Sequence, residues 1–366
     1  QGDKSILLEV ANEHYTAARD LLARFAELEK SPEYIHTYRL TPLSLWNAAA
    51  AGMGAQEILA GLDTYAKYPL PGNVVRDIEE YIGRFGRVKL LREGEQLLLF
   101  SEDKALIAEI ASHKKTQPFL VSQPGPTRLL VNPAMRGHIK RALLEIGYPA
   151  EDQAGYVTGE ALTFRLRPMT SSGQLFTLRR YQREAADVFY AGGSSLGGSG
   201  TIVLPCGAGK TMVGMAVMEQ VQASTLILSP NTVAVRQWIG ELLDKTSLRE
   251  DEIGEYSGLL KEIKPVTIST YQIMTYRKRA KGVKDETDEY PHFALFNARN
   301  WGLIIYDEVH LLPAPVFRIT AELQARRRLG LTATLVREDG LESDVFSLIG
   351  PKKYDVPWKD LEKQGW

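Results

Sequence analysis

Cysteine is nearly absent from this chain. Cys206 stands alone, which rules out an internal disulfide and fits a reducing compartment. Its place inside a glycine-containing loop makes it a small apolar filler rather than a nucleophile. No excess of one charge exists either: 44 Lys and Arg face 45 Asp and Glu, a formal net charge of −1. Global attraction to nucleic acid or an anionic membrane is thereby excluded, and any nucleic-acid site must be a local basic patch. No apolar run approaches the roughly 18 residues that span a bilayer. The six histidines have no metal-ligand spacing, so no zinc site is arguable. Internal repeats are lacking. The start, Gln1-Gly2-Asp3-Lys4-Ser5, carries neither an initiator Met nor an apolar h-region, from which we expect no secretory leader and a trimmed fragment.

What is present is ordinary globular composition, 44% hydrophobic and 24% charged over 366 residues, long enough for two or three domains. Residues 5–10 predict a strand. Asn12 predicts the cap of a helix over 12–30, because Tyr15, Ala18, Leu22, Phe25 and Leu28 recur at helical spacing. An extended stretch over 34–40 leads to Thr41-Pro42, a cap with proline at the first helical position. Further helices are expected over 55–65 and 73–85, then a β-hairpin over 87–91 and 96–100. Three helices and a hairpin form a winged-helix-like layout, suited to protein docking as much as to DNA. One more helix (101–113) precedes a change of pattern. Residues 118–168 read as a compact α+β module with strands at 119–121, 128–131 and 161–166. Its helix, 134–147, carries Arg136, His138, Lys140 and Arg141, a cluster read first as a solvated face. Beyond Leu178 strands and helices alternate, as in a doubly wound parallel sheet. Residues 276–290 are dense in opposite charges and read as a surface excursion.

Three stretches carry chemistry. Apolar Thr201-Ile202-Val203-Leu204 leads into Pro205-Cys206-Gly207-Ala208-Gly209-Lys210-Thr211 and then an unbroken helix-forming run. Strand, glycine loop, Gly-Lys-Thr and helix is the phosphate-cradling arrangement. Backbone N–H groups and the helix N-terminus face anionic oxygen, Lys210 serves the β- and γ-phosphates, and Thr211 offers a hydroxyl to Mg²⁺. One departure stands out: in GxxxxGK[ST] the first glycine falls at 204, where this chain has Leu. The second stretch is the apolar strand Gly302-Leu303-Ile304-Ile305-Tyr306, ending in Asp307-Glu308-Val309-His310. Carboxylates at such a strand end lie at the ligand edge of the sheet, placing Asp307 near the same Mg²⁺ and Glu308 where it orients attacking water. Third, Thr332-Ala333-Thr334 follows a buried strand, 25 residues after Asp307 (332 − 307). In this order the three point to a nucleotide-hydrolysing machine using ATP and Mg²⁺. A nucleotide switch, a small-molecule kinase, and a DNA- or partner-binding scaffold with a non-motor nucleotide site remain as alternatives.

Together these motifs resemble the first RecA-like lobe of a superfamily 2 helicase. Leu204 to Thr211 and Gly330-Leu331-Thr332-Ala333-Thr334-Leu335-Val336-Arg337-Glu338-Asp339 resemble more closely the xeroderma pigmentosum group B (XPB) helicase family, including its Leu at 204. Tyr38-Arg39-Leu40-Thr41 and Gly86-Arg87-Val88-Lys89-Leu90 are similar to that family's N-terminal domain. The resemblance implies a RecA-like doubly wound sheet over 169–366, a winged-helix-like domain over 1–114 and a damage-recognition-like module over 115–168. It implies ATP-dependent 3′→5′ helicase or translocase activity on double-stranded or forked DNA, in repair or transcription. Gln182 matches the upstream adenine-reading glutamine. His310, Thr332 and Thr334 match coupling residues; Asn231, Gln237, Thr270, Arg337, Glu338 and Asp339 match DNA contacts. Arg236, Arg326, Arg327 and Arg328 are weaker basic candidates. The later motifs of a second RecA-like lobe are not found, so the isolated chain is expected to be weak or inactive. A protein partner for the N-terminal domain and a cytoplasmic, nucleoid-associated location (nuclear in a eukaryote) are also implied.

Overall fold

The structure, a computed structural model, describes residues 1–30, 32–194, 196–277, 290–324, 326–334 and 342–355. It divides into two compact units, one comprising Gln1–Pro133, Ile139–Gln153 and Pro351–Trp366, the other Ala134–His138 and Ala154–Gly350.

The first unit opens with an antiparallel sheet of β1 (Ser5–Glu9), β2 (Glu27–Lys30) and β3 (Ile35–Arg39), in the order β1-β3-β2. Four helices follow or intervene: α1 (Tyr15–Leu22), α2 (Pro42–Ala50), α3 (Ala55–Tyr65) and α4 (Gly72–Arg84). Thr41 begins α2 as expected. Its hydroxyl accepts the Ser44 N–H at 3.0 Å while Ser44 Oγ accepts the Thr41 N–H at 3.0 Å, so two orphan donors are satisfied reciprocally. Leu22, Phe25, Tyr38, Leu45, Ile58 and Ile78 form the core between helices and sheet.

The helix expected over 12–30 is half as long. Asn12 accepts the His14 N–H at 2.9 Å and the helix starts only at Tyr15. It stops at Leu22 because the chain is recruited into β2, where Glu27 faces Arg39 and Leu28 faces Tyr38 across β3. Leu28, counted above in the helical stripe, is exposed. Tertiary strand pairing overrides the local period here.

The hairpin β4 (Val88–Glu93) and β5 (Gln96–Phe100) forms as read. It joins β6 (Leu120–Gly125), β7 (Arg128–Val131) and β8 (Ala150–Asp152) in one five-stranded sheet, order β6-β7-β5-β4-β8. Helix α5 (Lys104–Ser112) is capped by Asp103, which accepts the N–H groups of Ala105 and Leu106 at 2.9 and 3.1 Å. Helix α6 (Arg136–Glu145) keeps only part of the solvated basic face expected of it: Arg141 is exposed, but two of its other basic residues are not. Arg136 is buried, donates from Nη1 to the Gly155 carbonyl at 2.9 Å and lies over the Tyr156 ring. Lys140 is buried and meets Asp152 Oδ2 at 3.0 Å. Residues 161–166 are also not a strand. Only isolated bridges at Ala161 and Leu166 form, and the Gln222 side-chain amide takes both backbone groups of Phe164, replacing a ladder.

The second unit contains β9 (Ser199–Val203), β10 (Thr225–Ser229), β11 (Ile253–Tyr256), β12 (Val266–Thr270), β13 (Leu303–Asp307) and β14 (Arg327–Thr332). They run β11-β12-β10-β13-β14-β9, and every pairing among them is parallel. This is the parallel α/β sheet expected. Helices α7 (Arg180–Tyr190), α8 (Lys210–Val221) and α9 (Thr232–Lys245) belong to it. Strands covered on both faces need continuous apolar runs, and Leu226-Ile227-Leu228 and Leu303-Ile304-Ile305 are fully buried. Strand β11, with Gly254 and Glu255 inside it, carries no such signal and was not anticipated.

Candidate nucleotide site

Parallel order brings the C-terminal ends of β9, β14 and β13 side by side. The phosphate-loop stretch, Thr332-Ala333-Thr334 and Asp307-Glu308 therefore emerge at one edge, with β14 between the other two strands. Leu204, which stands where the phosphate-loop pattern has glycine, is completely buried, and its N–H donates to the Thr332 carbonyl at 2.8 Å. The strand thus continues one residue further than the pattern requires, and a large apolar side chain there anchors the loop to β14.

Past Leu204 the loop turns through two left-handed glycines, Gly207 at φ +80° and Gly209 at φ +82°, and α8 starts at Lys210. The Ala208 carbonyl is held by two donors, the Tyr181 hydroxyl at 2.8 Å and Gln182 Nε2 at 3.1 Å. A carbonyl engaged in this way is kept from repelling an incoming phosphate. Gln182 is nearly fully buried, and its Oε1 accepts the Arg179 N–H at 2.9 Å. Both ends of this side chain brace the loop and the start of α7. A Cβ at Gly209 would collide with Gln182 Nε2, so the loop and Gln182 are fitted to each other.

Lys210 and Glu308 meet directly, Nζ to Oε1 at 2.5 Å. Glu308 sits in the left-handed region at φ +50°, uncommon for a residue with a side chain and the kind of strain that collects at functional sites. Its second oxygen, Oε2, is buried without a hydrogen-bond partner and lies 3.5 Å from His310 Nδ1. His310 Nδ1 is in turn 2.8 Å from Thr332 Oγ1, which accepts the Thr334 N–H at 3.1 Å. A continuous line of polar contacts runs from Lys210 through Glu308, His310 and Thr332 to Thr334.

Asp307 is only 9% exposed. Burial pushes its carboxyl above the ordinary range; a hydrogen bond from Trp238 opposes this, while the neighbouring Glu308 charge adds to it. Trp238 Nε1 donates to Asp307 Oδ2 at 2.9 Å, and the Tyr271 hydroxyl donates to the Asp307 carbonyl at 2.8 Å. Trp238 and Tyr271 lie in stretches (Ser229 to Trp238 and Thr270-Tyr271-Gln272) that resemble motifs holding nucleic-acid backbone, and Tyr181 precedes Gln182, but no sequence signal gives any of the three a role at the nucleotide site. Among the described residues no cluster of three or more His, Cys, Asp or Glu could hold a metal. A Mg²⁺ whose other ligands are phosphate oxygens and water needs none, and the hard oxygens of Thr211 and Asp307 suit it.

The remaining candidates are scattered. Asn231 is exposed and caps α9, accepting the Ala234 N–H at 2.9 Å. Thr270 caps the next short helix by accepting the Ile273 N–H at 3.2 Å. Gln237 and Arg236 are exposed on α9. Arg337, Glu338 and Asp339 lie outside the described residues. Two basic candidates are structural. Arg328 is fully buried and donates to the carbonyls of Leu348 and Gln324 at 2.7 and 2.8 Å. Arg326 donates to the Trp301 carbonyl at 2.7 Å.

The family model "Helicase conserved C-terminal domain" matches residues 1–124, and "Type III restriction enzyme, res subunit" matches 175–337. Two curated proteins named "DNA 3'-5' helicase XPB", from Kineococcus radiotolerans and Mycobacterium tuberculosis, are each 55% identical to this chain over 367 residues. The alignments cover 100% of this chain and 63% and 64% of those proteins. A Haloarcula marismortui protein named "Putative DNA 3'-5' helicase Rad25" is 34% identical over 99% of this chain and 54% of its own length. The chain thus spans under two thirds of the curated relatives it matches. With 55% identity sustained over 100% of its residues, it belongs to the XPB family.

Proposed function

We propose that this chain is the N-terminal part of an ATP-dependent 3′→5′ DNA helicase or translocase that opens DNA in repair or transcription. The observation that carries the reading is the Lys210–Glu308 contact at 2.5 Å, set beside buried Asp307 at one sheet edge. It is supported by the names of the relatives that match this chain along its whole length.

In this reading ATP enters with its phosphates against the N–H groups of the 207–211 loop. Lys210 exchanges Glu308 for the β- and γ-phosphate oxygens, and the released Glu308 orients the attacking water. Thr211 and Asp307 would hold Mg²⁺, which when bound screens the charge gathering on the phosphoryl oxygens. His310, Thr332 and Thr334 pass the state of Glu308 to the neighbouring surface. Asn231, Gln237, Thr270 and the Arg337-Glu338-Asp339 element contact DNA, mostly its backbone, which makes binding salt-sensitive. Gln182 reads adenine only if it gives up part of its hold on the loop. Residues 115–168 form the damage-recognition-like module, and residues 1–114 the winged-helix-like domain before it. The N-terminal helices serve a protein partner.

The curated relatives are longer, and we propose that sequence outside these 366 residues supplies a second RecA-like lobe. Its arginine finger is worth roughly 10³–10⁵ in turnover. The test is ATP hydrolysis with and without forked DNA, with Lys210→Ala as the blank. Activity at the blank's level that rises when the second lobe is supplied is the expected result. Strong turnover indifferent to DNA would overturn the motor reading in favour of a self-sufficient NTPase.

A further inference from the structure

Asp307 is gripped from two sides by residues that the nucleotide chemistry does not use. Trp238, 1% exposed, donates its indole N–H to the carboxylate, and Tyr271, 4% exposed, donates its hydroxyl to the backbone carbonyl of the same residue. The two come from different elements. Trp238 lies on α9, directly after exposed Arg236 and Gln237. Tyr271 opens the short helix Tyr271–Met274, directly after Thr270. The far edge of the indole rests on α8: a Cβ on Gly214 would stand 2.5 Å from Trp238 Cη2. One side chain therefore touches the helix that starts at Lys210 and the carboxylate at the end of β13.

We propose that Trp238 and Tyr271 are positioning residues. They aim Asp307 at its metal, and they transmit displacement of two helix starts, the exposed one at Asn231 after β10 and the buried one at Thr270 after β12, into the nucleotide site. The inference rests on the nucleotide reading above. A buried carboxylate that loses a donor does not regain it from water. Partners that orient a metal ligand are typically worth 10–100-fold in metal affinity or activity. Neutral Phe at 238 keeps an aromatic ring but offers no N–H. At 271 the same change deletes a single oxygen, so the second variant keeps the question open to test if Trp238→Phe does not fold.

The experiment uses the whole chain and fluorescent ADP, titrated with Mg²⁺ from an EDTA-treated start. Trp238→Phe is expected to bind ADP in EDTA within twofold of the parent, and to need at least roughly tenfold more Mg²⁺ to reach its half-point. Tyr271→Phe is expected to shift the half-point roughly fivefold, the worth of a neutral hydrogen bond. Adding forked DNA is expected to move the parent's half-point and to move that of either variant less. Unchanged half-points, or an equal loss with and without Mg²⁺, would reduce both residues to packing and overturn the proposal. A DNA shift fully retained in both variants, or absent from the parent, would overturn the transmission. A parent that binds ADP no better with Mg²⁺ fails differently, because it removes the nucleotide reading itself.

Discussion

Asp152 in the first unit, half-buried with its carboxylate side chain 9% exposed, and buried Asp307 in the second are both shielded acids, and the fold treats them in opposite ways. Asp152 meets the Lys140 ammonium at 3.0 Å inside the shell, so charge faces charge and the pair is closed. Asp307 receives a neutral indole N–H, while the nearby lysine is paired with Glu308. Glu308 in turn keeps Oε2 buried and without a hydrogen bond. A closed pair stabilises one arrangement; an open set of charges is one that a ligand can complete. Burial alone does not separate structural from functional carboxylates, but the completeness of their partners does.

The largest effect that tests this contrast is Lys140→Met. Stranding Asp152 without its cation should cost the first unit about 3–5 kcal/mol in chemical denaturation, while nucleotide affinity of the second unit stays at the parent value. A parallel loss of nucleotide binding would break the contrast. Next is Glu308→Gln, which leaves a neutral side chain on Lys210. With the full motor assembled, ATP turnover should fall on the order of 10²–10³-fold with little change in ADP affinity. Leu204→Ala probes the departure from the phosphate-loop pattern. Emptying a fully buried site should cost about 2–5 kcal/mol in thermal unfolding, and moving toward the small residue of the common motif should not tighten nucleotide binding.

Asp307→Asn sharpens the same point through pH. Burial raises the folded-state pKa of this carboxyl, so its ionised form costs stability at every pH above that value. The cost vanishes once pH falls below the unfolded-state pKa of about 3.9. The Asn variant should therefore unfold at higher temperature than the parent at neutral pH, lose that advantage in acid, and bind Mg²⁺–ADP more weakly. The smallest effect is Thr41→Ala, which removes the α2 cap for about 1 kcal/mol and should leave hydrolysis unchanged.

Much of this organisation was legible in the residues. Continuous apolar runs announced β9 and β13, and Thr41-Pro42 announced α2. These signals are local: a buried strand needs apolar side chains on both faces, and a cap needs an oxygen at one position. The failures share a cause. Residues 27–30 left a helical period to pair with β3. Residues 161–166 looked like a strand but gave their backbone bonds at Phe164 to a side chain. Arg136, Lys140 and Arg328 looked like a solvated or DNA-facing charge and are buried against carbonyls and a carboxylate. In each case a partner lies beyond the next turn of the chain, from ten residues away (Tyr38 for Leu28) to 58 (Gln222 for Phe164).

The site divides the same way. Residue types and their order along the chain already specified which side chains could serve phosphate, metal and water, because Gly, Lys, Thr, Asp and Glu have chemistry of their own. Only the parallel sheet decided that residues from 204 to 334 share one edge, that Lys210 rests on Glu308, and that an indole and a phenol hold Asp307. Chemical capacity is carried by single residues. Contact, burial and the choice of partner belong to topology, which sets side by side strands that the sequence keeps far apart.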